Sequence, residues 1–235
     1  MTKVTYGTGS SIMMNIGYTP IISQNGLVTS LAWGLDGRPE YVLEGNLNYT
    51  GAVISWLKDD VKLIESASET EALANEANKE DGLYLIPAFT GLGAPYWDSN
   101  ARAAIVGMDR TTGKAELVRA GLESIAYQIT DIVKAMERDS QKKIEVLRVD
   151  GGPTRNGYLM QFQRDIAGSD VAISRIEELS GTGAAFMAGM ALGLWGEEIF
   201  DTIKWDQVSP KMDEGVSAGK YEGYQNAVRL IRTGS

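Results

Sequence analysis

Residues 146–156 decide the fold of this chain and read Val146-Leu147-Arg148-Val149-Asp150-Gly151-Gly152-Pro153-Thr154-Arg155-Asn156. The apolar run at the start predicts a short strand, and apolar residues at helical spacing follow it, namely Leu159, Phe162 and Ile166. A glycine pair therefore stands between a strand and a helix. Such a turn lies at the carboxyl end of a sheet, where α/β proteins bind their ligands. We expect an α/β fold with a candidate binding site at this turn.

The other elements predict a mixed sheet. Two hairpins come first, one from the runs 4–6 and 12–16 and one from the runs 27–35 and 41–43 joined at Asp36-Gly37. Antiparallel strands followed by alternating helix and strand are typical of a mixed α/β sheet. The remaining predicted elements are helices at 48–66, 68–78, 114–138, 180–195 and 221–232, strands at 83–86, 105–108 and 171–174, and an ordered loop at 87–101.

The composition is that of a globular protein, with 235 residues, 43% hydrophobic and 23% charged, and a net charge of -9. This acidic field repels a phosphate backbone, so we expect no nucleic-acid partner, although backbone amides could still hold a small anion. The chain has no Cys and no His, which excludes thiolate nucleophiles, imidazole acid–base chemistry and metals held by those residues. No apolar run approaches the roughly 20 residues of a membrane helix, so we expect a cytoplasmic protein without membrane contact.

The first candidate site is the turn Tyr6-Gly7-Thr8-Gly9-Ser10-Ser11. Glycine lets the backbone approach a ligand closely and turn successive N–H groups toward one point. The result is an anion nest, to which Thr8 or Ser10 adds a hydroxyl donor. The alternative is an ordinary hairpin turn without a ligand.

The second candidate site is the turn at residues 150–156. Gly151 and Gly152 would let a flat group such as a purine lie against bare backbone, and the side chain of Asn156 could donate to it or accept from it. The alternative is a tight strand–helix turn with Thr154 as the helix N-cap. The spacing does not match GxxxxGK[ST], so the turn is not a P-loop.

Two further places carry weaker signals. Gly51, near the predicted start of a helix, could admit the edge of a ligand, although a lone helix glycine more often marks close packing. The loop at 89–98 is rich in glycine and aromatic residues and could line a cleft or be a packed structural loop. Nothing around Asp98 singles it out as a proton acceptor.

Several long motifs occur in this chain in the order found in one family. They are Tyr6-Gly7-Thr8-Gly9, Leu43-Glu44-Gly45, and the stretches at 87–98, 120–128, 148–152, 159–163 and 183–185. On these residues the chain resembles the C-terminal domain of the FGGY carbohydrate kinases and is most similar to the glycerol kinase branch. The match runs to about Trp195.

The resemblance implies an actin-like, ribonuclease-H-like α/β domain, with a mixed sheet and helices on both faces. In the family two such domains face each other across a cleft, with nucleotide mainly on the C-terminal domain and the sugar or polyol mainly on the N-terminal one. Residues 1–235 would form the nucleotide-binding domain, with ATP or ADP and Mg²⁺ as cofactors. The positions implied to bind nucleotide are Gly7, Thr8 and Gly9 at the phosphates, Gly51 beside the nucleotide, and Gly151, Gly152 and Asn156 on the adenine side.

Three departures from the family pattern bear on function. Ser11 stands where the glycerol kinase branch often has an aromatic residue against glycerol, which leaves room for a larger or more polar substrate. Ser55 stands where the branch has a Gln beside the nucleotide. The family's catalytic carboxylate lies just upstream of the Gly-Thr-Gly turn, yet none of the six residues before Gly7 is acidic. We therefore expect the base and the N-terminal sugar-binding domain on a polypeptide absent here, and no phosphorylation by this chain alone.

The expected function is the nucleotide-binding half of an ATP-dependent carbohydrate or polyol kinase, which transfers the γ-phosphate to a hydroxyl of the substrate with the N-terminal FGGY domain as partner. One alternative is an actin-like nucleotide-binding regulatory or structural module without sugar chemistry. Another is an acidic interaction domain without a ligand. The face that meets the N-terminal domain should be partly apolar, so the isolated chain could form a homo-oligomer.

Overall fold

A computed structural model describes residues 1–35, 37–78 and 82–233 of the chain. The strands are β1 (Thr2–Tyr6), β2 (Ser10–Gly17), β3 (Val28–Leu35), β4 (Arg38–Leu47), β5 (Tyr84–Ile86), β6 (Ala104–Val106), β7 (Val146–Asp150), β8 (Asp170–Ser174) and β9 (Trp205–Val208). The α-helices are α1 (Gly51–Ser55), α2 (Glu69–Glu76), α3 (Lys114–Ser140), α4 (Gly157–Ala167), α5 (Leu179–Ala191) and α6 (Glu214–Ile231). A π-helical turn covers Trp56–Asp60, and 3₁₀ turns cover Gly152–Arg155 and Glu197–Thr202.

Seven strands form one mixed sheet in the order β3-β4-β2-β1-β7-β8-β9. β1 is parallel to β7 and β7 is parallel to β8, whereas the other neighbours are antiparallel. β5 and β6 pair separately. The predicted mixed α/β sheet is confirmed. Of the predicted turn Asp36-Gly37, Gly37 has a φ of 74°, and Asp36 lies outside the described residues.

One face of the sheet packs on α3. Val4, Ile12 and Val149 on this face are fully buried in the same core cluster as the inward residues of α3. A Cβ on Gly45 of β4 would lie 2.6 Å from Ile132 of α3, so the helix rests directly on the sheet at that glycine. Burial of each large aliphatic side chain stabilises the fold by about 1.5–3 kcal/mol. This apolar stripe explains why the pattern at 114–138 predicts the helix so well.

The opposite face carries the start of α5. Thr5 and Asp150 are register partners on β1 and β7 and point away from the α3 side, because side chains alternate along a strand. The Leu179 N–H donates to Asp150 Oδ2 at 3.2 Å, which places the first residue of α5 on this second face. The expectation of helices on both faces is confirmed.

The structure differs from the predicted elements in three places. The helix predicted at 48–66 ends at Asp60, and Lys62 then takes a left-handed φ of 60°, which a helix cannot contain. β9 was not predicted, because its four residues include two polar ones and carry no apolar run. Helix α6 begins at Glu214 instead of 221 because the Asp213 side chain caps it.

None of the helices in the described ranges is both long enough and apolar enough to cross a bilayer.

Candidate functional site

The first glycine bend caps a helix. The Gly7 N–H donates to the Gly9 carbonyl at 2.9 Å, so that amide is engaged within the bend. The carbonyls of Gly7 and Thr8 accept the first N–H groups of α1, including those of Gly51 at 3.0 Å and Ala52 at 2.9 Å. These contacts satisfy donors that a helix start leaves unpaired. Thr8 is the exposed residue at the tip of the bend.

Gly51 is required by close packing. A Cβ at this position would lie 2.5 Å from the Gly7 carbonyl oxygen, a distance that real Cβ atoms essentially never show. The packing interpretation of Gly51 therefore has a direct structural basis. Gly51 also lines the cavity between α1, residues 65–71 and residues 150–156 that is described below. Packing and ligand contact are therefore not exclusive alternatives at this glycine.

The first glycine bend (residues 6–11) and the second (residues 150–156) contact each other. Gly151 has a φ of 101°, and a Cβ there would overlap the carbonyl oxygen of Tyr6, the residue just before Gly7. The contact follows from the parallel pairing of β1 and β7, whose carboxyl ends meet at one edge of the sheet. Two bends about 145 residues apart along the chain thus form one structural unit.

Asn156, and not Thr154, caps α4. A 3₁₀ turn separates β7 from α4, and the Thr154 hydroxyl donates to the Gly151 carbonyl at 2.7 Å inside that turn. The alternative interpretation with Thr154 as N-cap is therefore wrong, because the chain needs the extra turn before the helix can start. The Asn156 Oδ1 accepts from the Leu159 N–H at 2.9 Å, and its Nδ2 donates to the Thr70 hydroxyl at 2.9 Å.

A cavity of about 800 Å³ opens between α1, residues 65–71 and the second bend. Its volume falls in the range of pockets that hold a molecule of nucleotide size. The predicted site residues that it brings together are Gly51, Gly152 and Asn156, and Ser55 also lines it. Thr8 stands beside this cavity at the start of α1, since its carbonyl accepts from Ala52.

Ser11 lies apart from the lining of this cavity. It sits on β2, between its register partners Thr5 and Asn46. Among the described residues its buried Oγ has no hydrogen-bond partner. Its assignment to a substrate stays a prediction.

The charges around the cavity are unevenly placed. Glu71 Oε2 accepts from the Gly157 N–H at 2.9 Å, so a carboxylate occupies the N-terminus of α4. Arg155 on the same side forms an ion pair with Glu177. Lys58, in the middle of the π-helical turn, also lines the cavity and forms an ion pair with Asp59 at 3.1 Å. The α4 end of the cavity therefore disfavours a phosphate, although helix N-termini usually attract one.

The aromatic loop at 89–98 is structural. The Phe89 ring packs between Tyr49 and Trp56 at centroid distances of 5.1 and 5.0 Å. Asp98 accepts hydrogen bonds from the backbone and hydroxyl of Thr233, which lower the pKa of this carboxyl to about 2. Asp98 therefore fastens the C-terminus and is a poor proton acceptor.

Two buried carboxylates, those of Asp131 and Asp150, lie outside the cavity lining. Burial raises the pKa of Asp131 to about 7, and the carboxylate accepts from Tyr96, Tyr221 and Gln225. Asp150 is 1% exposed and accepts from Thr5 at 2.9 Å. Within the described ranges no three or more acidic side chains cluster in a way that could hold a metal ion.

Thr70 and Glu71 are among the lining residues that sequence reasoning missed. They lie in the polar stretch 68–78, where composition predicts only a surface helix. The sequence signal for this wall is the spacing of the small and apolar residues in α2. It places Thr70, which is 1% exposed, on the inner side of the helix.

The fold and the paired glycine bends define a class of protein. The model of the C-terminal domain of the FGGY family of carbohydrate kinases matches residues 2–192, and the chain belongs to this family. Its mixed sheet with helices on both faces is accordingly the actin-like, ribonuclease-H-like fold.

Within this family, the chain is similar to individual glycerol kinases. The chain is 49% identical over 232 residues to the glycerol kinase of Natranaerobius thermophilus, covering 97% of this chain and 46% of the relative. It is 47% identical to that of Petrotoga mobilis, with 99% and 47% covered. It superposes on the Plasmodium falciparum glycerol kinase with ADP at a TM-score of 0.90, with 34% identity over 98% of this chain and 47% of that one. The chain spans about half the length of the curated relatives it matches.

Proposed function

We propose that this chain is the nucleotide-binding half of an ATP-dependent carbohydrate or polyol kinase of the glycerol kinase type. The observation that carries the proposal is the cavity in which Gly51, Gly152 and Asn156 meet, beside the bend that exposes Thr8. An ADP-containing glycerol kinase with the same fold supports it. In this proposal ATP and ADP occupy the cavity, and residues 1–235 form a single FGGY C-terminal domain.

The charge distribution favours one orientation of the nucleotide. The carboxylate of Glu71 at the start of α4 repels phosphate, so the adenine side faces Gly152 and Asn156. The phosphates then extend toward the first bend, where Thr8 is exposed, whereas Ser10 is buried and its hydroxyl donates to Thr50 at 3.0 Å. Phosphoryl transfer depends mostly on positioning and charge stabilisation, which donors at this bend would supply.

The described residues do not fit a protein-held Mg²⁺. No acidic cluster is present in that part of the chain, and Asp150 is buried with Thr5, Lys3 and the Leu179 N–H as partners. Mg²⁺ prefers to bind through one or two carboxylates together with substrate phosphates. We propose that the ion arrives with the nucleotide phosphates, and no step is assigned to it on this chain.

A second, N-terminal FGGY domain completes the proposed enzyme. It would supply the carboxylate that takes the proton of the substrate hydroxyl, and most contacts to the sugar or polyol. Closure of the two domains would exclude water, so that the substrate and not water receives the phosphoryl group. The identity of the substrate near Ser11 and the expected homo-oligomer stay predictions.

Helix α5 and the residues that follow it are the face that we propose for this partner domain. Ala184, Ala185 and Ala188 are exposed, and Leu192 and Leu194 are 76% and 65% exposed. Small residues allow a neighbouring helix to approach closely, and an apolar patch of this kind marks an interaction site. The share of the relatives' length that the chain covers agrees with a domain of similar size on the other side.

Isothermal titration calorimetry with MgADP tests the proposal. The chain is expected to bind MgADP with one site and to show no phosphorylation of glycerol or other polyols in a coupled assay. The absence of any binding up to millimolar nucleotide would overturn the nucleotide site. Turnover by the pure chain would overturn the assignment of the base to a second domain.

A further inference from the structure

Two side chains of α2 connect one wall of the cavity to the second bend. Thr70 is 1% exposed, and its hydroxyl donates to the Ala67 carbonyl at 2.7 Å and accepts from Asn156 Nδ2 at 2.9 Å. Glu71 Oε2 accepts from the Gly157 N–H at 2.9 Å. The two contacts join segments that are 86 residues apart along the chain.

The Thr70 hydroxyl and the Leu159 N–H together fix which way the Asn156 amide points. Because its one proton goes to Ala67, the hydroxyl can only accept from the amide nitrogen. Oδ1 is then turned to the Leu159 N–H, where it caps α4. An amide has two N–H donors and two acceptor lone pairs. One donor and one lone pair of Asn156 are therefore left for a ligand in the cavity that this residue lines.

Glu71 holds Gly157, the residue after Asn156, in place. A Cβ on Gly157 would lie 2.7 Å from Glu71 Oε1, so only glycine admits the carboxylate this close to the start of α4. A carboxylate at a helix N-terminus is stabilised by the helix dipole. The position of Asn156 relative to the wall is thereby fixed on both sides.

The wall itself is braced internally. Glu69 Oε1 accepts from the Glu65 N–H at 2.9 Å and from the Ser66 N–H at 2.8 Å, and these backbone hydrogen bonds lower the pKa of the Glu69 carboxyl. Residues 65–71 thus form a folded unit, and most of them line the cavity.

We infer that Thr70 and Glu71 are positioning residues, which orient Asn156 toward the nucleotide and set the affinity of the cavity for it. The inference rests on the proposed function for its ligand and extends it to α2. Neither residue needs to touch the nucleotide, because both act through Asn156 and the first turn of α4.

Hydroxyl replacement at Thr70 tests the inference. Thr70→Val keeps the shape and removes the hydroxyl, and we expect calorimetry to show about tenfold weaker MgADP binding, whereas Thr70→Ser retains the hydroxyl and stays within about twofold. Ser169→Ala is the matched control, since Ser169 is 2% exposed and donates to the Ile144 carbonyl at 2.6 Å. The control is expected to lose stability with no change in affinity. Equal affinities for wild type and Thr70→Val would overturn the inference.

A readout without nucleotide separates this inference from the proposed function. The side-chain amide resonances of Asn156 are expected to shift in Thr70→Val and to keep their position in Thr70→Ser. Unchanged resonances in Thr70→Val would overturn the positioning role even if the nucleotide binds. A shift in Thr70→Val, together with no binding of MgADP by the wild-type chain, would instead overturn the proposed function.

Variants of Glu71 provide a second test in case Thr70→Val does not fold. Glu71→Ala and Glu71→Gln remove the same charge, but only the glutamine can still accept from the Gly157 N–H. We expect Glu71→Gln to bind MgADP severalfold more tightly than Glu71→Ala. Glu76→Gln, an exposed change at the other end of α2, is the control for charge and should match wild type within about twofold. Equal affinities for the two Glu71 variants would contradict the inference.

Discussion

Gly151 and Gly152 stand side by side, yet the fold needs only the first of them. A Cβ on Gly151 would overlap the Tyr6 carbonyl, and its φ of 101° is one that side-chain-bearing residues rarely adopt. Among the described residues, a Cβ on Gly152 would meet nothing closer than Glu177 Oε1 at 3.8 Å, and Gly152 lines the cavity. The fold therefore requires glycine at position 151, whereas Gly152 leaves space that a ligand can use.

The first bend likewise contains one residue that the packing requires and one that it leaves free to contact a ligand. A Cβ on Gly9 would overlap the Leu47 carbonyl, so the fold requires this glycine. Thr8 between the two glycines is exposed and carries no such constraint. Stability measurements and binding measurements should therefore separate the residues of each bend into two groups.

The largest expected effect comes from Gly151→Ala. The new Cβ meets the Tyr6 backbone, which belongs to the central strand and cannot move aside, so we expect the free energy of unfolding to fall by about 3 kcal/mol or more. Urea denaturation measures it. Gly168→Ala is the matched control, because Gly168 also has a positive φ, 68°, and no atom of the described part of the chain lies within 4 Å of the added Cβ. It should lose only about 1 kcal/mol, and equal losses in the two variants would refute the contact between the bends.

Asp131 should contribute strongly to the pH dependence of the free energy of unfolding, and this contribution should not depend on either bend. Its folded pKa of about 7 lies above the unfolded value near 3.9, so the folded state holds a proton that the unfolded state releases. The stabilising contribution is complete below about pH 4 and is lost as pH rises toward 7, at up to about 1.4 kcal/mol per pH unit. We expect Asp131→Asn to remove this slope in denaturation curves measured between these pH values.

Nucleotide affinity provides the check on that variant. Asp131 bonds to Tyr96, Tyr221 and Gln225, and none of these lines the cavity beside Gly152. Asp131→Asn should therefore bind MgADP like wild type. A variant that retains the pH slope, or that loses affinity, would show that this network is not the separate stability element described here.

Gly51→Ala should have an intermediate effect. The added Cβ would lie 2.5 Å from the Gly7 carbonyl, and we expect a loss of about 1–2 kcal/mol in thermal or urea unfolding. Gly183→Ala in α5 meets open space and should instead gain about 0.5–1 kcal/mol from helix propensity. If both substitutions stabilise the chain, Gly51 is free of the first bend and the packing argument fails.

Thr8→Ala should have the smallest effect on stability, within about 0.5 kcal/mol of wild type, because Thr8 is exposed. Its MgADP affinity should fall by about tenfold, because the proposed phosphate donor is removed. Thr202→Ala, another exposed threonine, serves as the control for calorimetry and should leave affinity unchanged. A Thr8→Ala chain that binds like the control would remove the first bend from the site.

Local patterns predicted much of this architecture. The steps of three and four between apolar residues give α3 to within two residues at its end, and the small-residue turn gives the β1–β2 hairpin. These features depend on neighbours along the chain, which is why local patterns reveal them. A shared site for Gly51, Gly152 and Asn156 was implied by the family resemblance, and the three residues do line one cavity.

Features that depend on distant contacts escaped prediction. The 3₁₀ turn before α4 moves the N-cap from Thr154 to Asn156, whose side-chain amide also donates to Thr70, 86 residues away. The use of Gly7 and Thr8 carbonyls to cap α1 is likewise a tertiary arrangement. The mostly polar sequence of α2 predicted only a surface helix, whereas Thr70 and Glu71 of this helix line the cavity.

Amide chemical-shift mapping of the chain with MgADP tests the central claim most directly. Binding should move the resonances of Thr8, Gly51 and Gly152 together along one saturation curve, while those of Gly168 and Gly183 stay in place. Shifts confined to one bend, or saturating at different nucleotide concentrations in the two bends, would contradict a single nucleotide site built from both.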